Sequence, residues 1–182
     1  MQGSSKPAES NAEALFLHAC PLIRKFCTKV AEAAMGKPIL DIACGSGRNA
    51  LPLVAQGCTV ICADNDLTRL RSPNGMAGQL IPRQLDLVAD AWPFERSSIG
   101  GIVNVHFLLI RLFPHFASSL SPGGYLLLET VPGCGGNYLQ LPKAGELRAL
   151  LKEAFGLEFY KERKVGPQKC EAVAVQLLAR RK

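Results

Sequence analysis

The sequence predicts a doubly wound α/β fold, in which helices cover both faces of a mostly parallel sheet. Two short and continuously apolar runs, residues 38–43 and 58–63, indicate strands that are buried on both faces. A glycine turn and a helical stretch at residues 48–56 separate these runs. Strand, turn, helix and strand in this order form the repeating unit of such folds, and the alternation continues along the chain.

The composition is that of one globular domain. The chain has 182 residues, of which 48% are hydrophobic and 20% are charged, and these values exclude a disordered or fibrous chain. No apolar run reaches the roughly 18–20 residues that span a bilayer. The amino terminus lacks the apolar core of a secretory signal. We therefore expect a soluble, cytoplasmic protein that does not associate with membranes.

The cysteines and the charges exclude some kinds of site. There are seven cysteines, without a CxxC pair, and three histidines, a pattern that predicts reduced, buried thiols and no metal site. The formal net charge of +6 suits an anionic partner. However, the basic residues are scattered, apart from modest clusters at residues 161–169 and 180–182. A solvated basic surface is therefore favoured over nucleic-acid binding.

The amino-terminal part predicts a tail followed by helices. Residues 1–9 are predicted to be a flexible tail, and residues 10–13 form a capping box that opens a helix. Pro21 interrupts the helical region, which then continues to residue 35. We interpret residues 10–35 as an N-terminal helical segment, with a lid over the site as a second interpretation. Its core-facing stripe comprises Leu15, Leu22, Ile23, Phe26 and Val30.

Beyond residue 64 the elements alternate more loosely. Pro82 places the third predicted strand at an edge of the sheet, because proline cannot donate a hydrogen bond within a sheet. The domain proper covers residues 36–182. Its later predicted elements are a short helix at 67–71, strands at 79–85, 101–107 and 125–130, helices at 110–120 and 142–155, and strands at 157–160 and 172–179.

The turn after the first strand is the segment that indicates a ligand. Gly45 and Gly47 allow a tight turn and a close approach of the backbone to a ligand. The helix that follows directs unpaired amides and the positive end of its dipole toward the same place. Asp64 ends the next strand, 19 residues after Gly45, which is the distance at which an acid meets a ribose. These features predict a nucleotide-like ligand.

Asp41 distinguishes between two classes of such ligands. A carboxylate at the end of the first strand repels the pyrophosphate of a dinucleotide. S-adenosylmethionine has no phosphate and carries a sulfonium and an α-ammonium group, so the acid favours it. Asp41, Asp64 and Asp86, each at the end of a successive strand, suit a cationic nucleoside. The alternative is that Asp41 only caps a turn.

With these residues the sequence resembles the class I S-adenosylmethionine-dependent methyltransferases. The stretch DIACGSGRNALPLVAQG, residues 41–57, is similar to the first motif of that superfamily, and looks most like small bacterial enzymes of the tellurite-resistance and thiopurine type. The resemblance covers residues 36–180. Further similarities lie at Asp64, residues 85–87 and 92–94, residues 120–124 and residues 141–147.

The resemblance implies a Rossmann-like, seven-stranded sheet whose last strand is antiparallel. It also implies S-adenosylmethionine as cofactor and S-adenosylhomocysteine as product. Asp41 and the turn would face the methionine moiety, Asp64 the ribose, and Asp86 the adenine, with Asp90 as the alternative. The cofactor-binding residues so implied are Asp41, Ala43, Cys44, Gly45, Ser46, Gly47, Asp64, Asn65, Leu67, Asp86 and Leu87. Residues 73–75 depart from the family pattern, because they shorten the helix after Asp64.

Methyl transfer from a sulfonium is an in-line displacement, which depends mainly on alignment and on exclusion of water. His106, which the resemblance implies near the methyl group, is the candidate catalytic base. Its alternative role is a packing hydrogen bond. Asn137 and Tyr138, in a glycine-rich loop, are candidate acceptor contacts, and Glu129 is ambiguous.

The length of the chain leaves little room beyond a catalytic core, which favours a small-molecule methyl acceptor. The first alternative is a nucleic-acid methyltransferase that binds through basic residues near the carboxyl terminus, namely Lys161, Arg163, Lys164 and Lys169. The second is a protein that binds the cofactor without turnover. An NAD(P)-binding module is the third, and Asp41 argues against it.

Overall fold

A computed structural model describes residues 17–71, 75–133, 140–168 and 170–182. The strands are β1 (Ile39–Ile42), β2 (Thr59–Asp64), β3 (Gln79–Gln84), β4 (Ile99–Val105), β5 (Leu120–Glu129), β6 (Phe155–Lys164) and β7 (Val173–Arg181). The helices are α1 (Pro21–Ala33), α2 (Leu51–Ala55), α3 (Phe113–Ser119) and α4 (Glu146–Leu151), with a 3-10 turn at Ile110–Leu112 before α3.

The seven strands form one sheet in the order β3-β2-β1-β4-β5-β7-β6. The pairs among β1 to β5 are parallel, and β7 runs antiparallel to β5 and to β6. The prediction of a doubly wound, mostly parallel sheet with an antiparallel last strand is therefore confirmed. β3 lies at an edge, as Pro82 predicted.

Alternating side chains of the central strands contribute to two cores, one on each face of the sheet. The first contains α1 and α2 residues with Ile39, Val60, Cys62, Val103 and Leu127 of the sheet. The second contains α3 and α4 residues with Leu40, Ile42, Ile102, Leu126 and Leu128. Because both faces are covered, β1 and β4 are buried along their whole length, which explains their continuous apolar character.

Residues 17–35 of the predicted N-terminal segment fall within the described residues, and α1 is the helix among them. Its buried residues are Leu22, Ile23, Cys27 and Val30, and it approaches β4 closely at Gly100, where a Cβ atom would lie 2.6 Å from the carbonyl oxygen of Ala34. Leu15, the capping box and the predicted tail lie outside the described residues. No helix in the described ranges has both the length and the apolar content needed to cross a membrane.

Three predicted helices differ from those observed. The helix at residues 67–71 is not formed, because the chain makes a turn in which Oδ1 of Asp66 accepts a hydrogen bond from the amide of Thr68 at 2.9 Å. α2 begins three residues later than predicted, since turns occupy residues 48–50. α4 is shorter than predicted because Gly145, at its amino-terminal end, is left-handed with φ +77°.

Candidate functional site

The candidate site lies at the edge of the sheet where the parallel strands end. Ile42, the last residue of β1, pairs with Ala63 of β2 and with Asn104 of β4, so these carboxyl ends are level. The chain leaves β1 toward β2 on one side, while β4 lies on the other. Ligands of doubly wound sheets bind at such a reversal of strand order.

The turn after β1 is a tight backbone loop made largely of left-handed residues. Ala43, Gly45 and Gly47 have φ values of +50°, +55° and +79°, and the amide of Gly47 donates to the carbonyl of Cys44 at 2.9 Å. A left-handed conformation costs a non-glycine residue about 1–2 kcal/mol, so Ala43 is held there by its surroundings. At Gly47 a Cβ atom would lie 2.7 Å from Cδ1 of Leu70.

Asp64, at the end of β2, fixes this turn. Its Oδ2 accepts a hydrogen bond from the amide of Gly45 at 2.8 Å, and its Oδ1 accepts one from the amide of Asp66 at 3.1 Å. A carboxylate offers about four lone-pair sites. The side chain is half-buried, so it both holds the turn and keeps acceptor capacity for a ligand hydroxyl.

Asp41 lies beneath the turn and is only 1% exposed. Its Oδ2 atom has no hydrogen-bond partner among the described residues. Burial raises the pKa of Asp41 to about 7, against a lowering effect of Arg48 and with a further increase from Asp64. Asp64, rather than Asp41, caps the turn. The buried carboxyl group is thus one that a cationic ligand would stabilise.

Residues 67–71 lie across the glycine turn. The amide of Arg71 donates to the carbonyl of Ser46 at 3.4 Å, and Nη2 of Arg69 lies 3.5 Å from the position that a Cβ atom of Gly45 would occupy. Leu67 is half-buried against the α1 side of the core, whereas Asn65 is exposed. A guanidinium group therefore lies beside the turn, a feature that the sequence motif did not predict.

The loop after β3 carries both acids that were considered for the adenine. Oδ1 of Asp86 accepts two amide hydrogen bonds of its own turn, at 2.8 and 3.2 Å, while its amide donates to Oδ2 of Asp90 at 2.8 Å. Arg111 fixes this loop, since its Nη2 donates to the carbonyl of Leu87 at 3.1 Å. Leu87 is buried, Asp86 is half-buried and Asp90 is exposed. The preference for Asp86 stays a prediction.

His106 follows β4 directly and has a left-handed backbone, with φ +62°. Its amide donates to the carbonyl of Glu129 at 2.7 Å, and its Nε2 lies 3.2 Å from Oε1 of the same residue. The His106 side chain is 35% exposed and that of Glu129 is 14% exposed. Left-handed non-glycine residues are strained and concentrate at functional sites. The two side chains form a histidine–carboxylate pair at the site edge.

The Glu129 carboxylate is also bound by residues that sequence analysis did not identify as site residues. Its Oε2 accepts hydrogen bonds from Nε2 of Gln176 at 2.6 Å and from the Cys20 thiol at 3.2 Å. Burial raises the pKa of Cys20 to about 11, so the thiol stays protonated and can donate. The amide of Cys20 in turn donates to Oδ1 of the buried Asn49 at 2.9 Å. We call Asn49, Cys20, Glu129, Gln176 and His106 the Glu129 network.

A second buried polar side chain without a partner lies at the same edge. Asn104, on β4 beside Ile42, is fully buried, and neither Oδ1 nor Nδ2 has a hydrogen-bond partner among the described residues. Its side chain lies on the sheet face opposite to that of Asp41, because Asp41 pairs with the neighbouring Val103. The sequence analysis did not identify Asn104 as a site residue; the feature that could have done so is an asparagine in an otherwise apolar strand.

The structure brings Asp41, Asp64 and residues 43–47 together and places His106 farther along the same edge. Asn137, Tyr138 and Lys169 lie outside the described residues, so their roles stay predictions. Within the ranges that the structure describes, no group of three histidine, cysteine or acidic side chains is arranged to hold a metal ion.

Comparisons with known proteins identify the fold. No protein-family profile matches the chain, and no curated protein sequence matches it. An S-adenosylmethionine-dependent methyltransferase from Mesorhizobium loti is 18% identical over 88% of this chain and 98% of its own, with a TM-score of 0.62. One from Methanosarcina mazei is 20% identical over 80% and 92%, with a TM-score of 0.59. TehB from Haemophilus influenzae is 18% identical over 87% and 62%, with a TM-score of 0.60.

Other similar structures differ in what they act on. One is a geranyl diphosphate methyltransferase, 15% identical over 95% of this chain and 78% of its own, with a TM-score of 0.60. Another is a tRNA methyltransferase from Aquifex aeolicus, 12% identical over 97% and 77%, with a TM-score of 0.60. The chain therefore has the Rossmann-like fold found in S-adenosylmethionine-dependent methyltransferases, as its sequence predicted.

Proposed function

We propose that this chain binds S-adenosylmethionine at the glycine turn and transfers the methyl group to a small-molecule acceptor. The observation that carries the proposal is the Asp41 carboxyl group, buried and with an unpartnered oxygen directly beneath a turn of left-handed residues. A buried acid with a raised pKa is costly to ionise unless a positive group neutralises it. A cationic ligand on the turn supplies that group, whereas a pyrophosphate makes the cost larger.

The residues around the turn fit the parts of this cofactor. Asp41 attracts its positive charge, and Asp64 has acceptor capacity for the ribose hydroxyls beyond the two amides that it already binds. Asp86 and Leu87, in the loop after β3, bind the adenine. Arg69, whose guanidinium lies beside Gly45, pairs with the cofactor carboxylate. When bound, the cofactor supplies an electrophilic methyl group on a sulfonium.

We assign His106 as the residue that takes a proton from the acceptor. If Nε2 carries the hydrogen and donates to Oε1 of Glu129, Nδ1 has a free lone pair. Glu129 then fixes the tautomer and stabilises the imidazolium that forms, as a carboxylate partner does in other histidine bases. The protonated Cys20 thiol and the Gln176 amide hold Glu129 in place.

We prefer a small acceptor over a nucleic acid because the described residues form a single sheet with its covering helices, and the Glu129 network lies at its edge. The nucleic-acid alternative is supported by exposed basic side chains on β6, namely Lys161, Arg163 and Lys164, and by the likeness to a tRNA methyltransferase. Binding of a short RNA with a steep dependence on salt would favour this alternative.

Isothermal titration with S-adenosylhomocysteine, S-adenosylmethionine and NAD tests the proposal. We expect the first two to bind and NAD not to bind, and we expect Asp41→Asn to weaken binding about tenfold or more. Glu153→Gln, which removes one exposed carboxylate elsewhere, is the matched control and should bind like the wild type. Preferential NAD binding would overturn the cofactor assignment. Cofactor binding without methyl transfer to any acceptor would indicate a binding protein.

A further inference from the structure

A cleft opens beside the Glu129 network, at the ends of three neighbouring strands. It lies where β5 and β6 end and where β7 begins, and its volume is about 230 Å³. It is therefore at the same edge of the sheet as the glycine turn. The residues that line it are Glu129, Thr130, Pro132, Lys161, Arg163, Ala174, Val175 and Gln176.

The strand register fixes how the charged side chains are arranged in this cleft. Glu129 pairs with Gln176, and Gln176 pairs with Lys161, so these three lie side by side on one face of the sheet. Strands are about 4.8 Å apart, which puts the Lys161 backbone roughly 10 Å from that of Glu129. Arg163 is the next residue of β6 on this face, opposite the small side chain of Ala174. The cleft thus has an acidic inner end and a basic outer wall.

The carboxylate at the acidic end of the cleft has hydrogen-bond partners, whereas the two cations at the basic end have no acidic partner within the described ranges. Glu129 receives hydrogen bonds from Gln176 and Cys20 and lies against His106. Lys161 and Arg163 form no ion pair within the described ranges. The guanidinium of Arg163 is oriented by its hydrogen bond to the carbonyl of Pro132 at 3.0 Å.

The nearest acid on β6 does not neutralise these two cations. Glu162 lies between them in sequence and therefore points to the other face of the sheet. There its Oε1 accepts hydrogen bonds from the Tyr160 hydroxyl and from the amide of Gly145, the latter at 2.8 Å. Two positive charges consequently face a cleft whose other end is Glu129, the carboxylate that also contacts His106.

We propose that Lys161 and Arg163 bind an oxyanion group of the methyl acceptor, a carboxylate or a phosphate. The acceptor is then a small organic anion whose nucleophilic atom lies beyond the Glu129 end of the cleft, toward His106, several bonds from its anionic group. This inference rests on the proposed function and narrows its substrate class. Lysine and arginine are the side chains that recognise such groups, and the cleft is smaller than most drug-sized binding sites, which suits one substituent.

Direct binding tests the cleft without any need for turnover. Protein saturated with S-adenosylhomocysteine is titrated with sodium phosphate and, separately, with sodium acetate, and the backbone amide chemical shifts are followed. We expect saturable shifts at Lys161, Arg163 and Gln176, and the anion that binds more tightly assigns the group as phosphate or carboxylate. The absence of saturable shifts at these residues with both anions would overturn the proposal.

Charge-removing variants provide the matched comparison. Lys161→Met with Arg163→Met should weaken anion binding about tenfold or more while S-adenosylhomocysteine affinity is unchanged. Lys164→Met removes an equally exposed charge from the same strand, on the face opposite to Arg163, and should bind the anion like the wild type. Equal weakening by all of these changes would show a general surface charge effect and would contradict a specific site.

Methyl transfer distinguishes failure of this inference from failure of the proposed function. Candidate amine, thiol and phenol acceptors are supplied as pairs. One member carries the anionic group that the binding experiment assigns, a carboxylate or a phosphate, and the other carries an uncharged counterpart, a primary amide or a hydroxyl. We expect the anionic members to have the higher kcat/KM, and the Lys161 and Arg163 double variant to lose that preference. Methyl transfer at equal kcat/KM for both members would overturn the anion site alone. Lack of S-adenosylhomocysteine binding would instead overturn the proposed function.

Discussion

Asp64 and Gly45 are joined by a hydrogen bond across the edge of the sheet, from the Gly45 amide to Oδ2 of Asp64 at 2.8 Å. The bond ties the acid at the end of β2 to the middle of the turn after β1. The residue that is proposed to bind the ribose therefore also sets the shape of the turn. Substitution of Asp64 is expected to affect both stability and ligand binding.

We predict that Asp64→Ala weakens S-adenosylhomocysteine binding by about 1–3 kcal/mol and lowers the free energy of unfolding by a similar amount, because an amide loses a charged acceptor. Calorimetric titration and urea unfolding measure the two effects. Glu153→Ala is the control, since the Glu153 side chain is exposed and pairs with the neighbouring Lys152. Unchanged affinity in Asp64→Ala would exclude Asp64 from the site.

Asp41→Asn should stabilise the ligand-free protein at alkaline pH. The folded-state pKa of Asp41, about 7, lies above its ordinary value of 3.8, so the folded state retains a proton that the unfolded chain releases between these values. Stability from this group is therefore present at low pH and lost as the pH rises toward about 7. At about pH 8 the variant should be more stable by up to about 4 kcal/mol, and at about pH 4 the difference should be small. Urea unfolding across this range would show a constant difference if Asp41 were not buried as described.

The Asp41 carboxyl group should also make cofactor binding depend on pH. The α-ammonium group of S-adenosylhomocysteine favours ionised Asp41, so the affinity for this ligand should rise with pH up to the pKa of about 7 and then level off. Titrations in two buffers of different ionisation enthalpy should show proton release in this range. Asp41→Asn should remove the dependence, and a pH profile shared by wild type and variant would assign it to another group.

We predict that His106→Asn lowers kcat about 10²–10⁴-fold with little change in cofactor affinity, which is the usual contribution of a general base. Asparagine tolerates the left-handed conformation of this position and lacks a base. Steady-state kinetics with a methylated acceptor, together with calorimetry, separate the two effects. Unchanged kcat and an unchanged pH profile would leave His106 with a packing role.

Gly100→Ala should destabilise the protein by about 1–3 kcal/mol, as overpacking typically does. The added Cβ atom would lie 2.6 Å from the Ala34 carbonyl oxygen, which is backbone and cannot turn away. Gly156→Ala is the matched control, because a Cβ atom there has no neighbour within 4 Å. Equal urea midpoints for the two variants would contradict the close contact of α1 with β4.

The strands were largely predictable from the sequence because strands covered on both faces are continuously apolar. β1 and β2 lie within one residue of their predicted bounds. So does β3, although it is an exposed edge strand that is not continuously apolar. β5 and β6 are longer than predicted. The helices were less predictable, since single polar contacts override helix propensity: Asp66 turns the chain where a helix was predicted, and Gly145 delays α4.

Only the parts of the site whose residues follow a short motif with fixed spacing were predictable from the sequence. The glycine turn and Asp64 follow a motif with fixed spacing, and the structure places them together. In contrast, Cys20, Asn49 and Gln176 meet Glu129 through strand order and helix packing, over separations as large as 109 residues. No local pattern predicts such contacts. Their polar character within apolar surroundings was the sole sequence signal.

The position of β7 between β5 and β6 has a consequence for synthesis of the chain. β6 is synthesised before β7, but in the sheet β6 pairs with β7, and β7 pairs with β5. β6 therefore cannot join the sheet until β7 has been synthesised. Until then β5 presents an open edge, which in a nascent chain is exposed to wrong partners. Gln176 lies on β7, so Glu129 cannot accept its hydrogen bond from Gln176 until β7 has been synthesised.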